Sequence, residues 1–259
     1  MALRNGVLVH GPTSFGVAIR RLDGSVATAT GRVPRVAHAV RTPVLRGPVR
    51  LAESLALLPV VKRALPEAQF SFERRTVAVA VATATIGGSL LRRSKLPESF
   101  REVSVAFASL APALVSLRGG ELTSYHGAEH VSIGTYEQDT TATKEHERCG
   151  SHLIGPLVLS SVLSGAIANR TPMKYRSLAK GVGAIGAVGL SIEMLGWMTR
   201  NPAHPLSRAL ARPGYELQHR LSTTEPNEAQ LEVANAALEA CLRAETEVEA
   251  EPEPDTDAR

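Results

Sequence analysis

Aromatic side chains are scarce in this sequence: one tryptophan, four tyrosines and five phenylalanines among 259 residues. So few rings cannot build the stacking platforms on which single-stranded nucleic acid is read, and no zinc finger or recognition helix is apparent. A nucleic-acid partner is therefore not expected, despite a formal charge of +4. Cysteine is scarcer still. Cys149 and Cys241 are the only two, which excludes a disulfide framework and fits reduced thiols in contact with the cytosol. A cleavable signal peptide is not expected either, since Arg4 and Asn5 are followed at once by a short strand-like run. Long hydrophobic runs are also missing. Four apolar stretches, 76–91, 103–117, 153–168 and 182–198, each span fifteen to seventeen residues, whereas a bilayer core asks for roughly twenty. Their alanine, glycine and threonine content lowers insertion energy but favours close helix packing. Composition leaves a membrane bundle and a soluble helical bundle both open.

What charge there is lies unevenly. The tail from Ala244, "AETEVEAEPEPDTDAR", contributes −6, so everything before it carries +10. Alternating acids, small residues and prolines cannot bury enough apolar surface to order themselves, so the tail is expected to be disordered. Arginines bracket the apolar segments, as at Arg74-Arg75 and Arg92-Arg93, a placement that suits a membrane boundary. If all four stretches cross, both termini and the loop 118–151 share one face. The twelve Lys and Arg of the first 75 residues then put that face in the cytoplasm of a multi-pass cell-membrane protein. The expected partners are a lipid bilayer and an unidentified substrate, with a homo-oligomer left open.

The first thirty residues read as β. "NGVLVHGP" is a short apolar run stopped by Gly11-Pro12, and "GVAIRRLDGSVATATG" holds two strand-like runs around Asp23-Gly24, a hairpin signal. A basic connector follows, and Leu51, Leu55 and Leu58 then recur at helical spacing. Near the end a helix is expected from about Glu225, with Thr224 as N-cap and Pro226 in the first turn. Leu231, Ala234, Leu238 and Cys241 would share its core face, which makes Cys241 a packing thiol. The expected fold is mainly α: a helical membrane bundle of about four apolar helices with a small N-terminal β-hairpin region and a C-terminal amphipathic helix. Its segments would be 1–75, the core 76–200, 201–243 and the acidic tail 244–259.

Chemistry concentrates in "TSYHGAEHVSIGTYEQ". On a helix His126 and His130 are one turn apart on one face, close enough for both imidazoles to reach one cation. Glu129 sits at the edge of that face, where it can ligate or act as the general base. H-x-x-E-H is the spelling of the inverted zincin peptidases, in which two histidines bind zinc and the glutamate takes a proton. Three protein ligands leave a fourth position for a water whose pKa falls toward neutrality. Candidates to complete the set are His146 and Cys149, in "KEHERCGSH", and Glu193, the sole ionisable group of "VGAIGAVGLSIEMLGWM". A carboxylate inside a membrane span is a functional candidate by default. Each also has a plainer role open to it: hydrogen-bonded histidines, a structural thiol, a buried anchor between helices. Tyr125, Tyr136 and Glu137 are expected to support the site or to pack. Zinc is the default for histidine with thiolate, while an all-His/Glu set admits iron or manganese.

"YHGAEHVSIGTYE" followed by "HERCGS" resembles the paired signature of the bacterial membrane proteins grouped as domain of unknown function 1385. "GVLVHGPTSFGVAIRRLDG", "LRGPVRLAESL", "GLSIEML" and "LQHRLSTTEPNEAQLEVANAAL" extend the resemblance over most of the chain. It implies a multi-pass membrane protein and a predicted metal-dependent enzyme without an established substrate. It carries His126, Glu129, His130, Glu137, His146, Arg148, Cys149 and Glu193 onto matching positions. Val131-Ser132 replaces the usual Lys-Thr, Glu147 the proline, and His10 the arginine before Gly-Pro. Two functions follow as expectations: a hydrolase-like enzyme using metal-bound water, or a membrane scaffold or assembly factor whose metal is structural.

Overall fold

Alternation organises the amino-terminal third in the computed structural model, which describes residues 1–34, 36–118 and 120–250. Strands β1 (Gly6–His10), β2 (Ser14–Arg20) and β3 (Val26–Arg32) form one antiparallel sheet in the order β1-β2-β3. The β2–β3 register closes from Ser14 opposite Arg32 to Arg20 opposite Val26, around Asp23-Gly24. Gly24 has φ +85° there, a conformation that favours glycine.

The period of two sends side chains to opposite faces, and both faces are buried. Leu8, Phe15, Val17 and Ile19 pack with Leu57 and Val61 of helix α1 (Pro43–Ala64) and with Leu65 just past its end. Val7, Val9 and Ala18 pack with Val233, Ala234, Ala237 and Cys241 of helix α8 (Glu228–Ala250), and with Tyr125 and Ala128 of helix α4 (Glu121–Gln138). At Gly16 a Cβ would strike the Ala237 carbonyl and the Cys241 backbone, so glycine sets how closely α8 approaches the sheet.

Between these parts lie α2 (Arg75–Arg93) and α3 (Glu98–Ser116), packed on each other, and α5 (Ile154–Arg170) and α6 (Met173–Arg200), likewise packed on each other. The first turns of α1 reach α6, where Gly47 lies against Ile192. Helix α7 (Pro205–Leu217) returns across the start of α5 and leads into a π-helical turn, Gln218–Ser222.

Three expectations change. Among the described residues two helical segments, Gly150–Arg170 and Met173–Arg200, are long and apolar enough to cross a membrane, not four. The apolar part of α2 stops at 75–91, and the sequence of α3 opens with Glu98, Arg101 and Glu102, charges that resist burial in hydrocarbon. Secondly, α8 starts at Glu228 rather than about Glu225. Its cap is a reciprocal pair, in which Gln230 N–H donates to Asn227 Oδ1 and Asn227 N–H donates to Gln230 Oε1, each at 2.9 Å. Thr224 instead runs beside α4. Finally, α8 continues past Ala244 to Ala250. The Glu245 carboxylate accepts from the backbone N–H groups of Thr13 (2.9 Å) and Ser14 (2.7 Å), which ties that part of the acidic tail to the sheet. Residues 251–259 of the expected disordered tail lie outside the described residues.

Candidate metal centre

Helix α4 is bracketed by Gly120 at φ +79° and Asp139 at φ +53°. It turns Tyr125 and Ala128 into the core beneath α8 and leaves His126 and His130 on another flank. Two backbone straps cross that flank. The segment after the π-turn passes so close that a Cβ on Gly127 would collide with the Thr224 carbonyl, and Thr224 N–H donates to Thr123 O at 3.0 Å. The loop after Asp139 folds back over Gly134, and Ala142 N–H donates to Thr135 Oγ1 at 3.2 Å.

These straps set the two imidazoles. His126 Nδ1 donates to Ser222 O at 2.9 Å, and His130 Nδ1 donates to Lys144 O at 2.7 Å. A carbonyl can only accept, so each Nδ1 keeps its proton, and Nε2 is the atom that can give up a proton and offer its lone pair to a ligand. The rings lie 4.3 Å apart between centroids, tilted by 59°. The second strap also delivers Cys149, whose Sγ is 3.6 Å from His126 Nε2. Donor atoms of His126, His130 and Cys149 all lie within 4.8 Å of one another. A tetrahedral zinc would hold nitrogen and sulfur ligands about 3.5 Å apart, so the Cys149–His126 spacing fits.

Charge is organised around the same three groups. Burial pushes the Cys149 thiol up, but hydrogen bonds from His126 and His130 and the His126 charge outweigh it and bring the pKa from 9.0 to about 5. Burial disfavours the His126 imidazolium, yet Cys149 and the Glu129 carboxylate hold it above its usual value. Burial likewise raises the Glu129 carboxyl, while the Met1 α-amine and the His126 and His130 imidazoles leave it below the usual range. Glu129 Oε1 accepts from the Met1 amine, and its Oε2 is buried without a hydrogen-bond partner.

Of the residues singled out in the sequence, the structure brings His126, His130 and Cys149 together. His146 is adjacent but engaged elsewhere. Its ring is 5.6 Å from that of His130, Nδ1 accepts from Arg148 N–H at 3.3 Å, and Nε2 meets Glu137 Oε2 at 3.2 Å. Arg148 Nη1 donates to the other Glu137 oxygen at 3.0 Å, so Glu137, His146 and Arg148 form one clamp across the strap. Glu193 lies on α6, is not one of the converging groups, and forms no ion pair among the described residues. Tyr125 packs in the core, and Tyr136 is exposed.

Sequence reasoning missed Gln218. Fully buried, it donates through Nε2 to Ser151 Oγ (2.7 Å), pairs with His152 Nε2 (3.0 Å), and accepts His146 N–H at Oε1 (2.8 Å). One amide in the π-turn thereby fixes the strap that carries Cys149. The only sequence signal was a lone glutamine in a polar stretch, which carries no positional information. The carbonyls of Ser222 and Lys144 have no sequence signature at all.

Fold and site together define a class: a chain in which a sheet-and-helix head carries a His/His/Cys cluster beside two long apolar helices. Residues 120–244 match the model of the family described as Protein of unknown function (DUF1385). That span runs from the start of α4 into α8 and contains the whole cluster. The chain is similar to Uncharacterized protein YqhQ of Bacillus subtilis (strain 168), with 25% identity over 300 aligned residues covering 94% of this chain and 92% of that protein. No solved structure matches it.

Proposed function

We propose that this chain is a membrane-anchored, metal-dependent enzyme of hydrolase type. His126, His130 and Cys149 hold a divalent cation, zinc by preference, and Glu129 is the general base. The convergence of three donor atoms within 4.8 Å, with each imidazole Nδ1 already engaged by a carbonyl, carries this reading. One thiolate with two imidazoles is a donor set suited to zinc, and three protein donors leave a tetrahedral position open. A cation held there supplies the Lewis acidity that brings the pKa of a water toward neutrality. The chain's own groups do the rest. Ser222 and Lys144 orient the imidazoles, Gln218 and the Glu137–His146–Arg148 clamp fix the strap, and Glu129 is ionised at neutral pH and able to accept a proton.

The anchor is the pair α5 and α6. Apolar residues as large as Val162 (64% exposed) and Ile185 (57%) face outward along them, which is costly in water and favourable in lipid. An even number of crossings keeps α4 and α8 on the same side, as their packing demands, and the basic amino-terminal region favours the cytoplasm for that side. A second reading has one specific observation in its favour. His146 is near enough to His130 that release from Glu137 could close the shell with a fourth protein ligand, as in a structural site.

Metal analysis of detergent-purified protein tests both readings. Wild type is expected to hold about one metal per chain, His126→Ala and Cys149→Ala close to none, and His146→Ala and Glu193→Gln as much as wild type. Metal lost with His146→Ala supports the closed shell, and wild type without metal in chelator-free buffers ends the metalloenzyme reading.

A further inference from the structure

Beside the His/His/Cys cluster lies a cleft of about 780 Å³ between the last turns of α6, one face of α7 and the strap that carries His146. Its α7 wall bears Arg208 and Arg212, one helical turn apart. Like charges at that spacing repel, yet among the described residues neither guanidinium has a carboxylate partner. Across the cleft the acids are mostly engaged: Glu137 by His146 and Arg148, Glu145 by His219 and Lys144. Glu147 stands exposed on the same strap. Two unpaired guanidinium groups beside a cavity suit an oxyanion with several acceptor oxygens.

Two independent observations point the same way. Ser207 lines the cleft at 2% exposure, and its Oγ has no hydrogen-bond partner. A buried hydroxyl in that state is costly until something satisfies it. The α6 wall, by contrast, is apolar. Leu195 and Met198 form it, with Thr199 beside them. One end of the cleft is therefore cationic, and the other apolar.

We propose that this cleft binds an amphiphile with a phosphate-type head, the head lying between Arg208 and Arg212 and the hydrocarbon chain along Leu195 and Met198. Its position beside the cluster makes such an amphiphile the substrate class of that centre. This assignment rests on the function proposed above, whereas the binding does not.

The test uses the full chain in a neutral detergent, with the single tryptophan, Trp197 of α6, as the fluorescent reporter. Titration with dihexanoyl phosphatidic acid is expected to saturate. Inorganic phosphate (head alone) and dihexanoylglycerol (chains alone) are each expected to bind at least about tenfold more weakly. The double substitution Arg208→Gln/Arg212→Gln is expected to weaken phosphatidic acid binding about tenfold or more, with metal content kept and Arg220→Gln, outside the cleft, without effect. Because a variant can misfold, wild type alone supplies a second readout: binding must weaken as salt rises. Equal binding by wild type and the double variant, or no salt dependence, overturns the proposal. Phosphate as tight as phosphatidic acid overturns the amphiphile and leaves a plain anion site. Phosphatidic acid bound by wild-type protein that holds no metal sinks the enzyme reading and leaves this one standing.

Discussion

Helices α6 and α8 use much the same alphabet of small apolar residues, yet they occupy opposite physical situations. In α8 the buried positions Val233, Ala234, Ala237, Ala240, Cys241 and Ala244 repeat at helical spacing, and glutamates take the other side. That amphipathic pattern suits a helix with core on one side and water on the other. In α6 apolar residues run all the way round, and only 17% of its most apolar window is buried inside the protein. The same holds for α5, at 22%. A helix apolar on every side with so little of it packed is long and apolar enough to cross a membrane. Composition did not separate the two helices, but the distribution of charge around each does.

Substitutions can break this comparison, and the largest effect is expected at the sheet. Gly16→Val places side-chain atoms against the α8 backbone, which cannot yield as a flexible side chain would. It should destabilise the head by about 4 kcal/mol. Gly186→Val on α6 meets nothing within 4 Å and should change stability by no more than about 0.5 kcal/mol. Denaturant titration of both variants in detergent reads the difference, and equal costs would mean the two helices are packed alike. Next comes Val162→Asp on the outer flank of α5. In a bilayer a carboxylate there costs about 3 kcal/mol, so membrane-integrated protein should fall several-fold after an alkaline wash. In water the same change is nearly neutral, and unaltered yield would place that flank in water. Glu245→Ala should cost about 2 kcal/mol, because two backbone N–H groups of the β1–β2 turn lose a charged acceptor. A variant as stable as wild type in the same titration would show that the last turns of α8 do not support the sheet.

How much of this was legible beforehand depended on whether the information was local. The hairpin at Asp23-Gly24, the strand-like apolar runs of β1 and β2 and the one-turn spacing of His126 and His130 are carried by neighbours in sequence, and each is present in the structure. The cap of α8 was equally local. Asn227 and Gln230 form the N-x-x-Q pattern of a capping box, three residues beyond the competing Thr224-Glu225-Pro226 signal. Cys149 could be named as a candidate, but its selection over His146 and Glu193 could not be read, because it follows from two straps crossing α4. Those crossings are long-range contacts, Thr224 with Gly127 and Ala142 with Gly134. The extension of α8 past Ala244 was hidden for the same reason. An acidic segment looks unable to order itself until Glu245 is seen to have Thr13 and Ser14 as partners.

The smallest effect on the fold, and the one that most sharpens the contrast between head core and site, separates the two cysteines. Burial raises Cys241, on the core face of α8, and the nearby Glu245 carboxylate adds to the shift. Cys149 is also partly buried, but the His126 and His130 imidazoles reverse the sign and bring it to about 5. In metal-free protein, iodoacetamide should therefore label Cys149 with a midpoint near pH 5 and leave Cys241 untouched until the chain unfolds. His126→Ala should move that midpoint back toward 9. The linked stability follows with a definite sign. A thiol whose folded pKa is depressed contributes fully above its unfolded value of about 9 and loses that contribution as pH falls to about 5. The melting temperature of metal-free wild type should thus rise across that window more steeply than that of Cys149→Ser. A labelling midpoint near 9 in the wild type would mean that the imidazoles do not act on the sulfur, and the donor set would lose the thiolate on which its preference for zinc depends.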